Sequence, residues 1–179
     1  MKLALVVGHE KERPGALGAA PLSQSEYDYN LEVAQFAYRE ARESGHDCHI
    51  FLRDGIGIEG AYRLVNEWSP DLAVELHFNA CDRKASGTET LFANPAHREF
   101  AEIMQRELCS LFERKGKQDR GVKLLEAGDR GHRNMSLAVA PACLLEPFFG
   151  DNPFEAALGH KLRVAYAVAV VRVANRCRA

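Results

Sequence analysis

The chain has 179 residues, of which 46% are apolar, 27% charged and 8% aromatic. This ordinary globular composition excludes a disordered, collagen-like or low-complexity protein, and the length predicts one domain over residues 1–179. Lysine and arginine total 23 against 25 acidic residues, so the net charge of −2 gives no sign of the excess basic charge that is typical of nucleic-acid-binding proteins.

The predicted elements alternate between strands and helices along the chain. Five short, mostly apolar runs are typical of buried strands, and they cover residues 3–8, 48–52, 72–78, 88–92 and 143–145. Apolar residues at helical spacing predict helices from about 26 to 44, 61 to 68, 95 to 116 and 153 to 173. Residues 117–141 are polar and irregular, with one short strand expected near Val122.

Local signals mark where several of these helices begin and end. Ser23 and Glu26 have the spacing of a capping box, and Gly45 has the position of a helix-terminating glycine. Asn-Pro pairs at 94–95 and 152–153 combine a capping residue with a proline at the first helical position. Strands that alternate with helices predict an α/β fold, a single domain with a largely parallel or mixed central sheet of about five to six strands flanked by helices.

The hydrophobic runs are too short for a targeting or membrane-spanning segment. The apolar run at residues 3–7 is shorter than the roughly 7–15 residues of a secretory signal peptide. The most apolar later stretch, residues 164–171, is too short for a bilayer that needs about 20. We therefore expect no signal peptide, no membrane span and synthesis in the cytoplasm.

Four polar residues lie where a ligand site forms in such a fold. His9 directly follows the first predicted strand, His77 ends the third, and Glu146 follows the last. Ligands bind beyond the carboxyl ends of parallel strands, so we expect these side chains at one edge of the sheet, with Glu26 beside them at the start of the first long helix. Two imidazoles and a carboxylate are a familiar catalytic zinc set, and a further carboxylate can act as a general base on water.

Each of these residues also has an ordinary structural interpretation. Glu26 fits a capping box without any metal, and Glu146 precedes a proline, as a solvated loop carboxylate often does. Glu10 and Glu32 are rival carboxylates, although Glu10 is adjacent to His9 and Glu32 lies inside the helix. The other five histidines have no companion at ligand spacing and are expected at the surface: His46, His49, His97, His132 and His160.

Four short motifs follow these same predicted elements. They are Val-Val-Gly-His at 6–9, Ser-Glu-Tyr-Asp-Tyr-Asn at 25–30, Leu-His-Phe-Asn-Ala at 76–80 and Leu-Leu-Glu-Pro-Phe-Phe at 144–149. In this order they resemble the motifs of the zinc-dependent N-acetylmuramoyl-L-alanine amidases, in the branch shared by bacterial autolysins and phage endolysins. The resemblance covers nearly the whole chain.

The resemblance implies a role for each candidate residue. His9, Glu26 and His77 would hold a Zn²⁺ ion, and Glu146 would be the catalytic base. Further positions of the family pattern are matched by Asn30, Asn79, Gly87 and Asn152.

The chain departs from the family pattern at three positions. Glu10 stands where a glycine usually follows the histidine, and Pro147 stands where a glycine-like residue usually follows the catalytic glutamate. Glu75 replaces the usual small hydroxyl residue two positions before His77, and because side chains alternate along a strand, both point to the same face. Glu75 is therefore a candidate for a position directly behind the metal ligands, with a salt-bridged or solvated residue as the alternative, and Asn79 is the second candidate for such a position.

The implied activity is hydrolysis of the amide bond between the lactyl group of N-acetylmuramic acid and L-alanine, in peptidoglycan or muropeptides. The alternatives are a zinc carboxypeptidase or other amidase acting on muropeptides, and a metal-free module that binds muropeptides. One catalytic domain without a separate cell-wall-binding domain is expected. Because the substrate lies outside the membrane and no signal peptide is expected, the favoured setting is an endolysin that acts on the wall after release from the cytoplasm. Cytoplasmic recycling of wall fragments is the alternative setting, and the oligomeric state stays open.

Overall fold

The strands of the computed structural model, which describes residues 1–178, form one sheet. Their bounds are β1 Lys2–Val7, β2 Asp47–Phe51, β3 Leu72–Leu76, β4 Thr88–Phe92, β5 Asp119–Leu124 and β6 Ala142–Glu146. Their spatial order is β2-β1-β3-β6-β4-β5. The first four strands in this order are parallel, whereas β4 runs antiparallel to β6 and β5 runs parallel to β4. The predicted α/β fold with a largely parallel or mixed sheet is confirmed.

Helices cover both faces of this sheet. The α-helices of the described residues are α1 Glu26–Glu43, α2 Gly57–Trp68, α3 Arg98–Leu111, α4 His132–Ser136 and α5 Pro153–Cys177. The helices α1, α3 and α5 pack on one face, and α2 and α4 pack on the other. Within residues 1–178, no helix combines the length and the apolar character that crossing a membrane requires.

The central strands read as continuous apolar runs because both of their faces are buried. In β1, Leu3, Leu5 and Val7 pack into the larger core under α1, α3 and α5. The alternate residues Ala4 and Val6 pack into the smaller core under α2 and α4. This two-sided burial is the usual situation of parallel strands, and it explains why every side chain of β1 after Lys2 is apolar.

The structure corrects the prediction for residues 117–141 and the ends of two helices. The strand near Val122 is confirmed as β5, but α4 was not predicted because a helix of five residues is too short for a periodic pattern. The third helix ends at Leu111 and not near 116, since Glu113 has a left-handed φ of 53° that cannot continue an α-helix. The last helix continues to Cys177.

The pairing of β3 positions the site. Because β3 pairs in parallel with β1 on one side and with β6 on the other, the carboxyl ends of these three strands lie side by side. His9 follows β1, His77 follows β3, and Glu146 is the last residue of β6. Three of the four predicted site residues are therefore brought to one edge by strand pairing alone.

Candidate active site

Three of the predicted site residues meet at this edge of the sheet. His9 Nε2 lies 3.0 Å from Glu26 Oε2, and His77 Nδ1 lies 2.7 Å from Glu26 Oε1. One ligand atom from each of the three residues lies within 4.8 Å of the other two. The structure therefore joins two imidazoles and one carboxylate in a single cluster, here called the ligand cluster.

The side chain of Glu26 is free to contact the two imidazoles because it does not take part in the predicted capping box. The N-cap of α1 is Ser25 and not Ser23, and Ser25 Oγ accepts from the Asp28 backbone N–H at 3.1 Å. The Ser25 hydroxyl also donates to Asp28 Oδ2 at 2.6 Å. Glu26 is thus the first helical residue, and its side chain turns inward, where Oε1 accepts from the backbone N–H of Phe78 at 3.2 Å. The capping-box prediction was wrong, and the correction separates the cap from the site.

The ligand cluster strongly shifts the pKa values of its members. Burial by itself would raise the pKa of Glu26, but the bonds to His77 and His9 hold that pKa at about 2. Burial by itself would lower the pKa of His77, but the bonds to Glu26 and Glu75 raise it to about 10. His77 is therefore an imidazolium between two carboxylates when no metal is bound.

The donor types and the charge of the ligand cluster suit a divalent metal ion. Imidazole nitrogens and a carboxylate oxygen are common zinc ligands, and three protein ligands are the number that catalytic zinc sites use. The two buried carboxylates beside His77 raise its pKa, so this place favours a positive charge. The residues present thus fit a zinc ion.

Glu146 lines the same cleft as the ligand cluster but has none of the hydrogen-bond partners that Glu26 has. It is the last residue of β6 and not a solvated loop residue, and its Oε2 is buried without a hydrogen-bond partner among residues 1–178. Burial, aided by the negative charges of Glu26 and Glu89, raises the pKa of Glu146 to about 8 against the opposing charge of His77. A carboxyl group with a pKa near neutrality and an unbonded oxygen is suited to accept and release a proton.

The three residues of the ligand cluster and Glu146 line one cleft of about 720 Å³, a size within the usual range of small-molecule sites. Residues 123–125 and 129–131 and Glu89 also line this cleft. Glu89 is paired with Glu146 in the register of β4 and β6, but its carboxylate is bonded to Lys123 and to Asn79 Nδ2, the latter at 2.7 Å. The two adjacent glutamates therefore differ in what their oxygens contact.

Glu75 contacts the second edge of the His77 ring. Its Oε1 lies 3.0 Å from His77 Nε2, and the residue is fully buried at 0% exposure. Arg53, Tyr62 and Asn134 also donate to this carboxylate. These three donors were not predicted from the sequence, since they lie on separate elements and belong to none of the motifs.

The other residues that match the family pattern have structural contacts. Asn79 lines the cleft, yet its side chain donates to Glu89, and in the part of the chain that the structure describes it forms no hydrogen bond to the ligand cluster. Asn30 Nδ2 donates to a backbone carbonyl of α1 at 2.9 Å, and Asn152 is the N-cap of α5. Gly87 has a φ of 114°, which only glycine adopts readily.

The two rival carboxylates have partners outside the ligand cluster. Glu10 forms an ion pair with Arg13, and Glu32 forms one with an arginine of α5. Among the remaining histidines, His46 and His97 are 2% and 3% exposed, so the prediction that they lie at the surface was wrong. Among residues 1–178, neither of them belongs to a group of histidine, cysteine or carboxylate side chains that could hold a metal ion.

Comparisons with known proteins show which family and which solved structures this chain is similar to. A family model described as N-acetylmuramoyl-L-alanine amidase matches residues 3–171. Among solved structures, the N-acetylmuramoyl-L-alanine amidase from Clostridium difficile 630 is 22% identical with a TM-score of 0.83, over 98% of this chain and 95% of that one. The catalytic domain of the CD27L endolysin targeting Clostridia difficile is 26% identical with a TM-score of 0.78, over 98% and 97% of the two chains.

A third solved structure, the catalytic domain of CwlV, an N-acetylmuramoyl-L-alanine amidase from Bacillus (Paenibacillus) polymyxa, is 21% identical with a TM-score of 0.80. The likeness covers 98% of each chain. No curated protein matches the sequence significantly. The family model and the shared fold thus cover nearly the whole chain.

Proposed function

The chain belongs to the N-acetylmuramoyl-L-alanine amidase family, which makes it a peptidoglycan amidase, and we propose that it works as a zinc enzyme. In this proposal His9, Glu26 and His77 hold the ion and Glu146 is the general base. The observation that carries the proposal is the approach of the three ligand atoms to within 4.8 Å of one another. The bond that is cut joins the lactyl group of N-acetylmuramic acid to the L-alanine of the stem peptide.

The residues of the chain divide the work of this hydrolysis. When bound, zinc supplies a Lewis acid that polarises a carbonyl oxygen and lowers the pKa of water toward about 7. Glu146 takes a proton from the attacking water on its unbonded oxygen. It then returns the proton to the amide nitrogen of L-alanine, because an amine leaves poorly unless it is protonated. The ligand cluster keeps its shape because strand pairing and the start of α1 fix its three backbone positions.

The neighbouring carboxylate of Glu89 is less suited to be the base. Arg120 and Lys123 form ion pairs with Glu89, and although burial opposes them, the pKa of Glu89 is lowered. Its oxygens are already occupied by these cations and by Asn79. Glu146, which has a raised pKa and an unbonded oxygen, therefore takes the role.

The product of wall digestion tests the choice of bond. Purified peptidoglycan treated with the protein should show new N-terminal L-alanine and no rise in reducing sugar, and a chelator should abolish the effect. Glu146→Gln, a variant of almost unchanged shape, is the matched control and should leave the wall intact. New D-alanine or diamino acid amines without N-terminal L-alanine would indicate a carboxypeptidase or endopeptidase. Binding of muropeptides without zinc and without hydrolysis would indicate a binding module.

We further propose that one catalytic domain, built on the single six-stranded sheet, acts on the cell wall after release from the cytoplasm, as an endolysin does. The likeness to the catalytic domain of the CD27L endolysin supports this setting. Expression with and without a membrane-permeabilising protein, followed by cell fractionation, tests it. The protein should stay with the cytoplasmic fraction until the membrane is permeabilised, and its appearance in the periplasm without that partner would contradict the proposal.

A further inference from the structure

Glu75 is a carboxylate in the middle of a strand whose residues are all buried. Strand β3 lies between β1 and β6 and is covered on both faces, and Glu75 is 0% exposed. An ionised carboxylate is costly to bury unless charged and hydrogen-bonding partners compensate for the lost water. The contacts of Glu75 therefore show what this charge does in the fold.

Three donors from separate elements hold the carboxylate in place. Arg53 Nη1 and Asn134 Nδ2 donate to Oε1 at 3.0 and 2.5 Å, and the Tyr62 hydroxyl donates to Oε2 at 2.6 Å. Arg53 follows β2, Tyr62 belongs to α2 and Asn134 belongs to α4. These contacts prevent the carboxylate from turning away, and the charge of Arg53 balances its own.

The remaining contact of Glu75 fixes the ring of His77. The Nε2 edge of this ring faces Glu75 at 3.0 Å, while the Nδ1 edge faces Glu26 at 2.7 Å. A histidine that donates one ring N–H to a carboxylate has its tautomer and its ring orientation fixed, so that the other nitrogen is free to bind a metal. In His77 that other nitrogen is Nδ1, on the side of the ligand cluster.

We infer that Glu75 is a positioning residue, which holds His77 with Nδ1 directed at the metal and thereby strengthens zinc binding. The inference rests on the proposed function, since it assumes that the ligand cluster binds zinc. It assigns a role to Arg53, Tyr62 and Asn134 as well, because these residues orient Glu75. Glu75 itself is fully buried and does not line the cleft, so its effect on the reaction passes through His77.

Competition with a colorimetric chelator measures the zinc affinity that this inference concerns. Glu75→Gln should weaken zinc binding by about 10- to 100-fold, the usual effect of removing a partner behind a metal ligand. The matched control is Glu89→Gln. It also removes a buried and ion-paired carboxylate, but Glu89 lines the cleft and forms no hydrogen bond to the ligand cluster among residues 1–178. Its zinc affinity should stay within about threefold of the wild-type value, as expected for an independent site.

A second variant keeps the test decisive, because Glu75→Gln leaves Arg53 buried without its counter-charge and can destabilise the fold. The double variant Arg53→Gln/Glu75→Gln removes both charges and should show the same loss of zinc affinity. Thermal unfolding of the metal-free proteins separates the two roles, since a purely structural residue changes stability and leaves the zinc affinity of the folded protein unchanged. Zinc binding by a folded Glu75 variant as tight as that of the Glu89 control would overturn the inference. A wild-type protein that binds no zinc would instead refute the proposed function itself.

Discussion

At the carboxyl ends of β1 and β3, the buried Glu26 lies between two imidazoles and its pKa is about 2. At the carboxyl end of β6, in the same cleft, Glu146 has a buried oxygen without a partner, and its pKa is about 8. The residue type is the same, and the two side chains line the same cavity. The hydrogen-bonding and charged partners of a carboxylate therefore decide its chemistry. With cationic or donor partners it stays an anion that suits a metal, and without them it becomes a group that exchanges protons.

Glu89 sharpens this comparison because it is paired with Glu146 in the strand register. Two cations, Arg120 and Lys123, lower its pKa against the effect of burial. Glu89 is therefore an anion like Glu26, although no histidine among residues 1–178 forms a hydrogen bond or ion pair with it.

Removal of one imidazole from the ligand cluster should abolish most of the zinc binding. His77→Ala leaves only His9 and Glu26, and since two protein ligands make a poor zinc site, zinc should fall from about one ion per chain to below about 0.2. Metal analysis of protein purified without a metal-affinity resin measures this. The exposed His160, replaced by alanine, is the control and should leave zinc content unchanged. Near-full occupancy in the double variant His9→Ala/His77→Ala would remove the assignment.

Replacement of Glu146 by a residue that cannot act as a base should stop turnover and leave zinc binding unchanged. Glu146→Gln keeps the shape of the side chain, so zinc content and fold should be retained. Turnover of peptidoglycan should fall by roughly 10²- to 10⁴-fold, the usual contribution of a general base. Release of N-terminal alanine from purified wall measures the effect. Activity within about threefold of the wild type would transfer the role to another carboxylate, with Glu89, which lines the same cleft, as the next candidate.

The raised pKa of Glu146 should also appear as a pH-dependent stability difference in the metal-free protein. A carboxyl group whose folded-state pKa of about 8 exceeds its ordinary value of 4.5 binds its proton more tightly in the folded state. Its contribution to stability is therefore complete below pH 4.5 and is lost as the pH rises through 8. Glutamine has no such titration, so Glu146→Gln should match the wild type near pH 4 and exceed it at pH 9 by about 1–3 kcal/mol.

Urea unfolding in the presence of a chelator, at pH 4, 7 and 9, measures this difference. Asp82, an exposed aspartate outside the cleft, supplies the control Asp82→Asn, for which no such gain at high pH is expected. A wild-type protein that is more stable than Glu146→Gln at pH 9 would show that the oxygen of Glu146 is not left without a partner.

The smallest expected effect separates the helix cap from the ligand beside it. Ser25→Ala removes the side chain that accepts from the Asp28 backbone N–H, and it should cost about 0.5–2 kcal/mol of unfolding free energy with zinc content unchanged. Glu26→Ala should show the opposite pattern, with zinc lost. Chemical unfolding together with metal analysis measures both variants. Loss of zinc in Ser25→Ala at an intact fold would mean that the cap and the ligand act as one unit.

Much of the site follows from the sequence because it depends on where strands end. His9, His77 and Glu146 each come directly after an apolar run, and parallel strands bring such ends together whatever else the fold contains. Glu26 was also predicted, although its local signal pointed to a cap. Only the structure shows that Ser25, and not the predicted Ser23, takes the capping role.

The features that can be predicted from the amino-acid sequence are local: the apolar runs, their alternation with amphipathic helices, and the polar residues at their ends. The periods of strands and helices are set by nearest neighbours in the chain, so composition and spacing suffice to read them. Only the tertiary structure decided that β4 runs antiparallel to β6, which places Glu89 beside Glu146. It likewise decided that Arg53, Tyr62 and Asn134 surround Glu75. These contacts join residues far apart in the chain, and their partners are chosen by the packing of whole elements, which no local pattern records.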